Sequence, residues 1–235
     1  SIDADLLDTL KEPILHFYDW EQNSLTYGYF INIDKFIDLK KADLFNLNIA
    51  RRPTGGGIVF HIWDIAFSFL LPKSNENFSL NPLKNYEFVN TLVLDSIKGF
   101  LDDRFSKDEL VDQNKENGNI DVSTRINLSL VEHKNKKIKL DSFCMAKPTR
   151  YDVMYLGKKI AGASQRRTKK GFLHQTSICL IKPDFDYLKK VLKDRDAIDA
   201  ISKSSFPIFL DGRIDQRREM IKKKLIQIFE SKFFK

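Results

Sequence analysis

Three consecutive glycines, Gly55-Gly56-Gly57, lie within the stretch Arg51-Arg52-Pro53-Thr54-Gly55-Gly56-Gly57-Ile58-Val59-Phe60-His61. Residues without a β-carbon lose the most backbone freedom on ordering, so no helix or strand runs comfortably through three of them. The segments on either side must be separate elements, joined by a loop whose backbone can approach another group closely. Open amides beside two arginines make a site for a carboxylate or a phosphate. The plainer alternative is a hairpin turn flanked by surface cations.

The flanking runs are of β type. Residues 14–18 and 25–31 are rich in aromatic and branched side chains and are separated by a polar turn, which predicts adjacent strands. Residues 58–60 and 65–71 read as strands around a polar corner. Helical spacing of apolar residues appears in 34–47, with Phe36, Ile37, Leu44, Phe45 and Leu47, and again in 84–105, with Phe88, Leu92, Val93, Ile97 and Leu101. Residues 112–121 are polar and read as a loop. The stretch 140–170 is strand-rich, with a turn at Leu156-Gly157, and 171–181 continues as a strand. Residues 185–192 and 214–229 are helical. The expected class is α/β, or α+β, with a mixed and largely antiparallel sheet flanked by helices. Residues 1–235 are expected to form a single catalytic-type domain, with a basic C-terminal helix at about 214–232 and no large accessory domain.

Charge narrows the partner. Lysine and arginine number 39 against 32 acids, a net charge of +7, which calls for an anionic partner. Lys158, Lys159, Arg166, Arg167, Lys169, Lys170 and Lys182 lie between Asp152 and Asp184 with no acid among them. Two cysteines exclude a disulfide scaffold and fit a reducing compartment. No Cys-x-x-Cys or His-x-x-x-His pair supports a metal site. The longest apolar stretch, 58–71, is broken by His61 and Asp64, and residues 1–11 lack a signal sequence's apolar core. A soluble, cytoplasmic protein is expected, without nucleic acid or membrane as partner.

Three residues stand out for chemistry. Lys159, in Gly157-Lys158-Lys159-Ile160-Ala161-Gly162, brings an ammonium to a run of small residues, where it can neutralise a phosphate or an oxyanion; a solvated basic hairpin is the alternative. Cys144, in Ser142-Phe143-Cys144-Met145-Ala146-Lys147-Pro148, is either a small buried hydrophobe or a nucleophile that needs cations nearby. His61 follows the glycine loop and is the one histidine whose position suggests a site. Cys179, inside an apolar run, reads as core.

Together these stretches resemble the lipoate–protein ligase A and octanoyltransferase family, lipoyl relatives of biotin–protein ligase, over residues 13–181. Phe17-Tyr18-Asp19-Trp20 and Leu25-Thr26-Tyr27-Gly28-Tyr29-Phe30 look like its opening strands. Arg51 to Gly57 with His61 looks like its Arg-Arg-x-Ser/Thr-Gly-Gly-Gly signature, and Lys159-Ile160-Ala161-Gly162 like its lysine motif. The resemblance implies a biotin/lipoate ligase-type catalytic domain. It further implies attachment of lipoate or octanoate to a lysine of an acidic lipoyl domain, in 2-oxoacid dehydrogenase complexes or the glycine-cleavage H protein. Lys159 would be catalytic, with Arg51, Arg52, Thr54, Gly55, Gly56, Gly57, His61 and Gly162 binding the acyl or adenylate group. The leading expectation is an ATP- and magnesium-dependent ligase acting through a lipoyl-adenylate. The alternative is an ATP-independent octanoyl or lipoyl transferase, with acyl carrier protein as donor and Cys144 as thioester nucleophile. Cys144, Pro148, Thr149, Tyr151, Asp152 and Lys159 occupy the places of that lineage's pattern. A catalytically weak, basic binding module is the third reading. Two departures stand out: Ile62 follows His61 where the family shows Asp, and Thr176 stands where it shows Gly.

Overall fold

The computed structural model describes residues 1–105, 129–130, 143, 150–209 and 213–233. Its first half runs α1 (Ile2–Asp8), β1 (Ile14–Phe17), β2 (Ser24–Tyr27), α2 (Leu39–Leu44), β3 (Asn48–Arg51), β4 (Ile58–Phe60), β5 (Asp64–Pro72) and α3 (Pro82–Phe105). Then follow β6 (Ser129–Leu130), β7 (Val153–Tyr155), β8 (Lys158–Arg167), β9 (Gly171–Cys179), α4 (Phe185–Val191), α5 (Arg195–Ser204) and α6 (Ile214–Phe233). The mixed α/β class expected from the sequence is what forms. Among the described residues, no helix is long and apolar enough to cross a membrane.

β5 is buried at every one of its nine positions, the signature of a strand covered on both faces. It lies between β1 and β9 in an antiparallel six-stranded sheet of order β1-β5-β9-β8-β7-β6. Alternation along β5 and β9 sorts the two faces. Phe67, Phe69, Phe172 and Ile178 join Val89, Val93, Ile97, Ile221, Leu225 and Phe229 in a core under α3 and α6. Leu70 and Leu173 point the other way, against Leu7 and Leu10 around α1. Each fully buried Leu, Ile or Phe contributes about 1.5–3 kcal/mol, so this core carries much of the fold.

The second sheet is small, with order β3-β2-β4, and β2 runs parallel to β3 and antiparallel to β4. Its core holds Leu25, Ile37, Ile58, Phe143, Leu188 and Ile198, drawing in α4 and α5. This corrects the expectation that residues 14–18 and 25–31 are adjacent strands. β1 pairs with β5 and β2 with β3 and β4, because each apolar face buries against a different core. The helix expected over 34–47 is also cut short. The Asp38 side chain accepts from Lys41 N at 3.2 Å and restarts the chain as the six-residue α2. Asn46, at φ 50°, marks where the helix gives way to β3. The loop expected at 112–121 lies outside the described residues.

His174 ties β9 to α3. Its Nε2 lies 3.1 Å from Asn90 Oδ1 and its Nδ1 3.2 Å from Gln165 Nε2, so the neutral ring donates to the former and accepts from the latter. Complete burial pulls its pKa down to about 3. The unfolded chain protonates this histidine near its ordinary value while the folded chain resists. Its contribution is therefore present above about pH 6.5 and is lost as pH falls toward 3, at up to about 1.4 kcal/mol per pH unit. Denaturant unfolding at pH 6.5 and 5 is expected to show that slope, reduced by one proton in His174→Gln.

Candidate active site

A cavity of about 210 Å³ opens where the two sheets meet. Thr26 and Val59 of the small sheet border it on one side, and Gly162, Gln175 and Ser177 of the large sheet on the other. Asp3 of α1 joins the wall. Its carboxylate accepts from Ser68 Oγ at 3.0 Å, Gln175 Nε2 at 2.6 Å, the Tyr18 hydroxyl and His16 Nδ1 at 3.0 Å. Burial and the Asp3 charge push the Tyr18 phenol above its ordinary range, so it stays a neutral donor.

The triple-glycine loop arches over Gly28. Gly28 N donates to Gly57 O at 3.2 Å and Tyr29 N to Thr54 O at 2.9 Å, while Gly56 sits at φ 84°. The two arginines divide their work. Arg52 is 7% exposed and donates from Nη2 to Gly55 O at 3.0 Å and Gly57 O at 2.7 Å, and from Nη1 to Thr26 O and Oγ1, both at 3.3 Å. It is the clamp that gives the loop its shape. Arg51 is exposed and lies over the Tyr29 ring at 4.7 Å, at the cavity's mouth. Thr54 Oγ1 meets Ser164 Oγ at 2.8 Å and Gln175 Oε1 at 2.6 Å, fastening the loop to the large sheet. A β-carbon on Gly28 would fall 2.8 Å from Gly55 C and closer still to Gly56 O, both backbone atoms that cannot step aside. Gly28→Ala is therefore expected to lose about 1–3 kcal/mol and to weaken acyl binding, read by thermal unfolding and by ligand titration.

Lys159 is aimed by a bulge. Met154 pairs with Lys159 but Val153 with Ala161, so Ile160 is the extra residue on β8. The inserted residue reverses the alternation and brings Lys159 and Gly162 to one face. Lys159 Nζ lies 2.7 Å from Asp152 Oδ2, with the two side chains 1% and 0% exposed. A β-carbon on Gly162 would collide with Lys159 Cε and Nζ, which is why small residues follow the lysine. Asp152 follows Tyr151, held at φ 67°, whose carbonyl accepts from Asn90 Nδ2 at 2.7 Å. The β7–β8 turn, Leu156 at φ 47° and Gly157 at φ 75°, has the left-handed pair that closes a tight hairpin. A buried ion pair thus lies behind Gly162, which itself lines the cavity.

His61 is held on every side. Its Nδ1 is 2.9 Å from Asp64 Oδ2 and its Nε2 2.8 Å from Thr26 Oγ1, while Trp20 stacks on the ring at 4.5 Å and 10°. The acid missing from position 62 is supplied by Asp64, which also accepts from Ser177 Oγ at 2.6 Å. From α6, Arg218 donates to Asp64 O at 2.9 Å and His61 O at 3.1 Å. Thr176 shares its side-chain row with Phe172, His174 and Ile178, facing α3; Gln175 and Ser177 form the cavity-facing row. The Thr176 side chain therefore falls in the core-facing row, while the residue also borders the cavity.

The structure brings together Arg51, Arg52, Thr54, Gly55, Gly56, Gly57, His61, Lys159 and Gly162 around this cavity or its loop. Cys144 and His133 lie outside the described residues. Phe143, the residue before Cys144, is 2% exposed and bridges Ile58, the first residue after the glycine loop. Cys179 is buried, and desolvation, with the Asp64 charge, pushes its thiol up to about 12, so it stays an unreactive core group. Sequence reasoning missed Asp3, Trp20, Asp64 and Gln175, which lie far apart in the chain and meet only in the fold. Among the described residues, no three His, Cys, Asp or Glu side chains cluster as a metal site.

A family model described as the lipoyl protein ligase A/B catalytic domain matches residues 1–209. The octanoyltransferase LipM of Bacillus subtilis is 27% identical over 168 residues, covering 72% of this chain and 54% of that protein. The chain thus spans about half the length of that curated relative. A bi-partite lipoate protein ligase from Thermoplasma acidophilum, solved together with its E2 lipoyl domain, superposes with a TM-score of 0.62 at 22% identity, covering 97% of this chain and 76% of the other. A lipoate-protein ligase A bound with ATP does so with a TM-score of 0.61 at 20% identity, covering 97% and 78%.

Proposed function

Because the chain belongs to the lipoyl protein ligase A/B catalytic domain family, we propose that it transfers an octanoyl or lipoyl group from an activated donor to a lysine of a lipoyl domain. The observation that carries this reading is the Lys159–Asp152 pair seated over Gly162 at the cavity's edge. The cavity takes the acyl chain, and the Lys159 ammonium stabilises the charge that builds on the acyl oxygen as the amine attacks. Asp152 holds that ammonium in place through a charge-assisted hydrogen bond. The glycine loop, shaped by Arg52 and fastened by Thr54, closes one side so that donor and acceptor meet in fixed geometry.

The donor is taken to be an acyl thioester, with Cys144 carrying the acyl group between donor and acceptor. This is supported by the octanoyltransferase relative and by the Phe143 bridge to Ile58 beside the glycine loop. The second reading, an ATP-dependent ligase, is favoured by exposed Arg51 at the mouth and by the open space around Gly55, where a β-carbon would meet nothing within 4 Å. In that case Lys159 faces an acyl-adenylate, and magnesium accompanies the nucleotide's phosphates.

Incubating the protein and an apo lipoyl domain with octanoyl-carrier protein, and separately with octanoate and ATP, separates the routes. Mass gain from the carrier alone, abolished in Cys144→Ser, is the expected result. Gain only with ATP, persisting in Cys144→Ser, makes the ligase the answer. No gain from either donor overturns both.

A further inference from the structure

An acceptor lysine titrates near about 10.4, so close to neutral pH almost all of it is protonated and unable to attack. Acyl transfer to it needs a base, and Lys159, ion-paired with Asp152, carries a proton instead of taking one. The described residues offer another proton acceptor on the same cavity.

Thr26, His61 and Asp64 have the arrangement required. Thr26 is part-exposed and lines the cavity; behind it His61 is 6% exposed and Asp64 4%. With the Asp64 carboxylate accepting from Nδ1–H at 2.9 Å, His61 Nε2 is left as an acceptor, and Thr26 Oγ1–H donates to it across 2.8 Å. Asp64 Oδ2 is steadied by Ser177, and Asp64 Oδ1 is buried without a hydrogen-bond partner among the described residues, which leaves carboxylate charge available to an imidazolium. Trp20 fixes the ring plane, and Arg218 fixes the backbone of both residues. Base, orienting acid and cavity-facing hydroxyl stand in line, at hydrogen-bonding distances already short enough for proton transfer.

We propose that Thr26 and His61, oriented by Asp64, form the proton relay that takes a proton from the acceptor ammonium and frees the amine to attack. This rests on the transfer reading above and extends it to the acceptor half of the reaction. The acceptor ammonium first gives a proton to Thr26 Oγ1 while the Thr26 proton passes to His61 Nε2, and the freed amine nitrogen then bonds to the acyl carbon. The bond from acyl carbon to the donor's sulfur breaks with its electron pair on sulfur. The amine's second N–H proton passes to that thiolate, or to water when the leaving group is a phosphate, and the imidazolium releases its own proton to water. An amide and a thiol result, and the relay is reset.

Hydroxylamine distinguishes this role from a structural one, because its nitrogen is already neutral near pH 7 and needs no base to attack. Acyl transfer to an apo lipoyl domain and to hydroxylamine is measured in parallel, with the no-enzyme reaction subtracted. Thr26→Val and His61→Gln are expected to lower the ratio of lysine to hydroxylamine transfer by about 100-fold or more, the usual contribution of a general base. Thr26→Ser, which keeps the hydroxyl, retains the wild-type ratio and controls for damage to the fold. A ratio unchanged in Thr26→Val and His61→Gln overturns the relay while leaving the transfer reading intact. A wild type that acylates neither nucleophile overturns the transfer reading and the relay with it.

Discussion

Gly162→Ala is expected to lose about 100- to 1000-fold in acyl transfer while costing about 1–3 kcal/mol in stability. The β-carbon it introduces occupies the place of Lys159 Cε and Nζ. Those atoms are the far end of a flexible side chain, so the strand survives and the ammonium gives way. The fold stands with its charge displaced from the acyl oxygen. Thermal unfolding beside single-turnover transfer separates the two effects. A variant that keeps wild-type transfer would show that the position of the Lys159 ammonium over Gly162 does not matter to the chemistry.

The second large effect is on the ion pair. Lys159→Met leaves the Asp152 carboxylate buried without its cation at 2.7 Å, and breaking such a pair by removing one partner costs about 3–5 kcal/mol. Replacing both, as Lys159→Met with Asp152→Leu, removes the stranded charge, and apolar replacements of buried pairs are often neutral or stabilising. The double variant is therefore expected to recover most of the lost stability and none of the transfer activity. Denaturant unfolding of the wild type, both single variants and the double variant forms a thermodynamic cycle for the pair. If the two single losses add up to the loss in the double variant, the pair contributes no coupling to the fold.

Much of this site is legible in the chain, for identifiable reasons. A triple glycine and a lysine followed by small residues are local signals, because backbone approach and side-chain room are set by neighbours in sequence. The long strands and α3 announce themselves by composition and spacing. Other features depend on contacts between distant segments. Arg52 reads as an anion-binding residue until the structure shows its guanidinium committed to Gly55 O and Gly57 O. The loss of acid at position 62 reads as a defect until Asp64 is seen to reach His61 Nδ1. Thr176 reads only as a departure from glycine until the register of β9 puts its side chain in the row of His174 and Ile178. The pairing of β1 with β5 is likewise invisible locally, since both β1 and β2 read as strands and only the two cores decide their partners. Asp3, thirteen residues from His16 and 172 from Gln175, carries no sequence signal at all.

If the Lys159 ammonium, held by Asp152 over Gly162, serves acyl transfer to a lipoyl-domain lysine, removing it abolishes that transfer. Intact mass of an apo lipoyl domain, with the modified residue mapped by peptide analysis, tests it directly. The wild type is expected to add a single octanoyl or lipoyl group at one lysine, and the folded Lys159→Met, Asp152→Leu variant none. Equal mass gain with the two proteins, or none with the wild type from either donor, would contradict it.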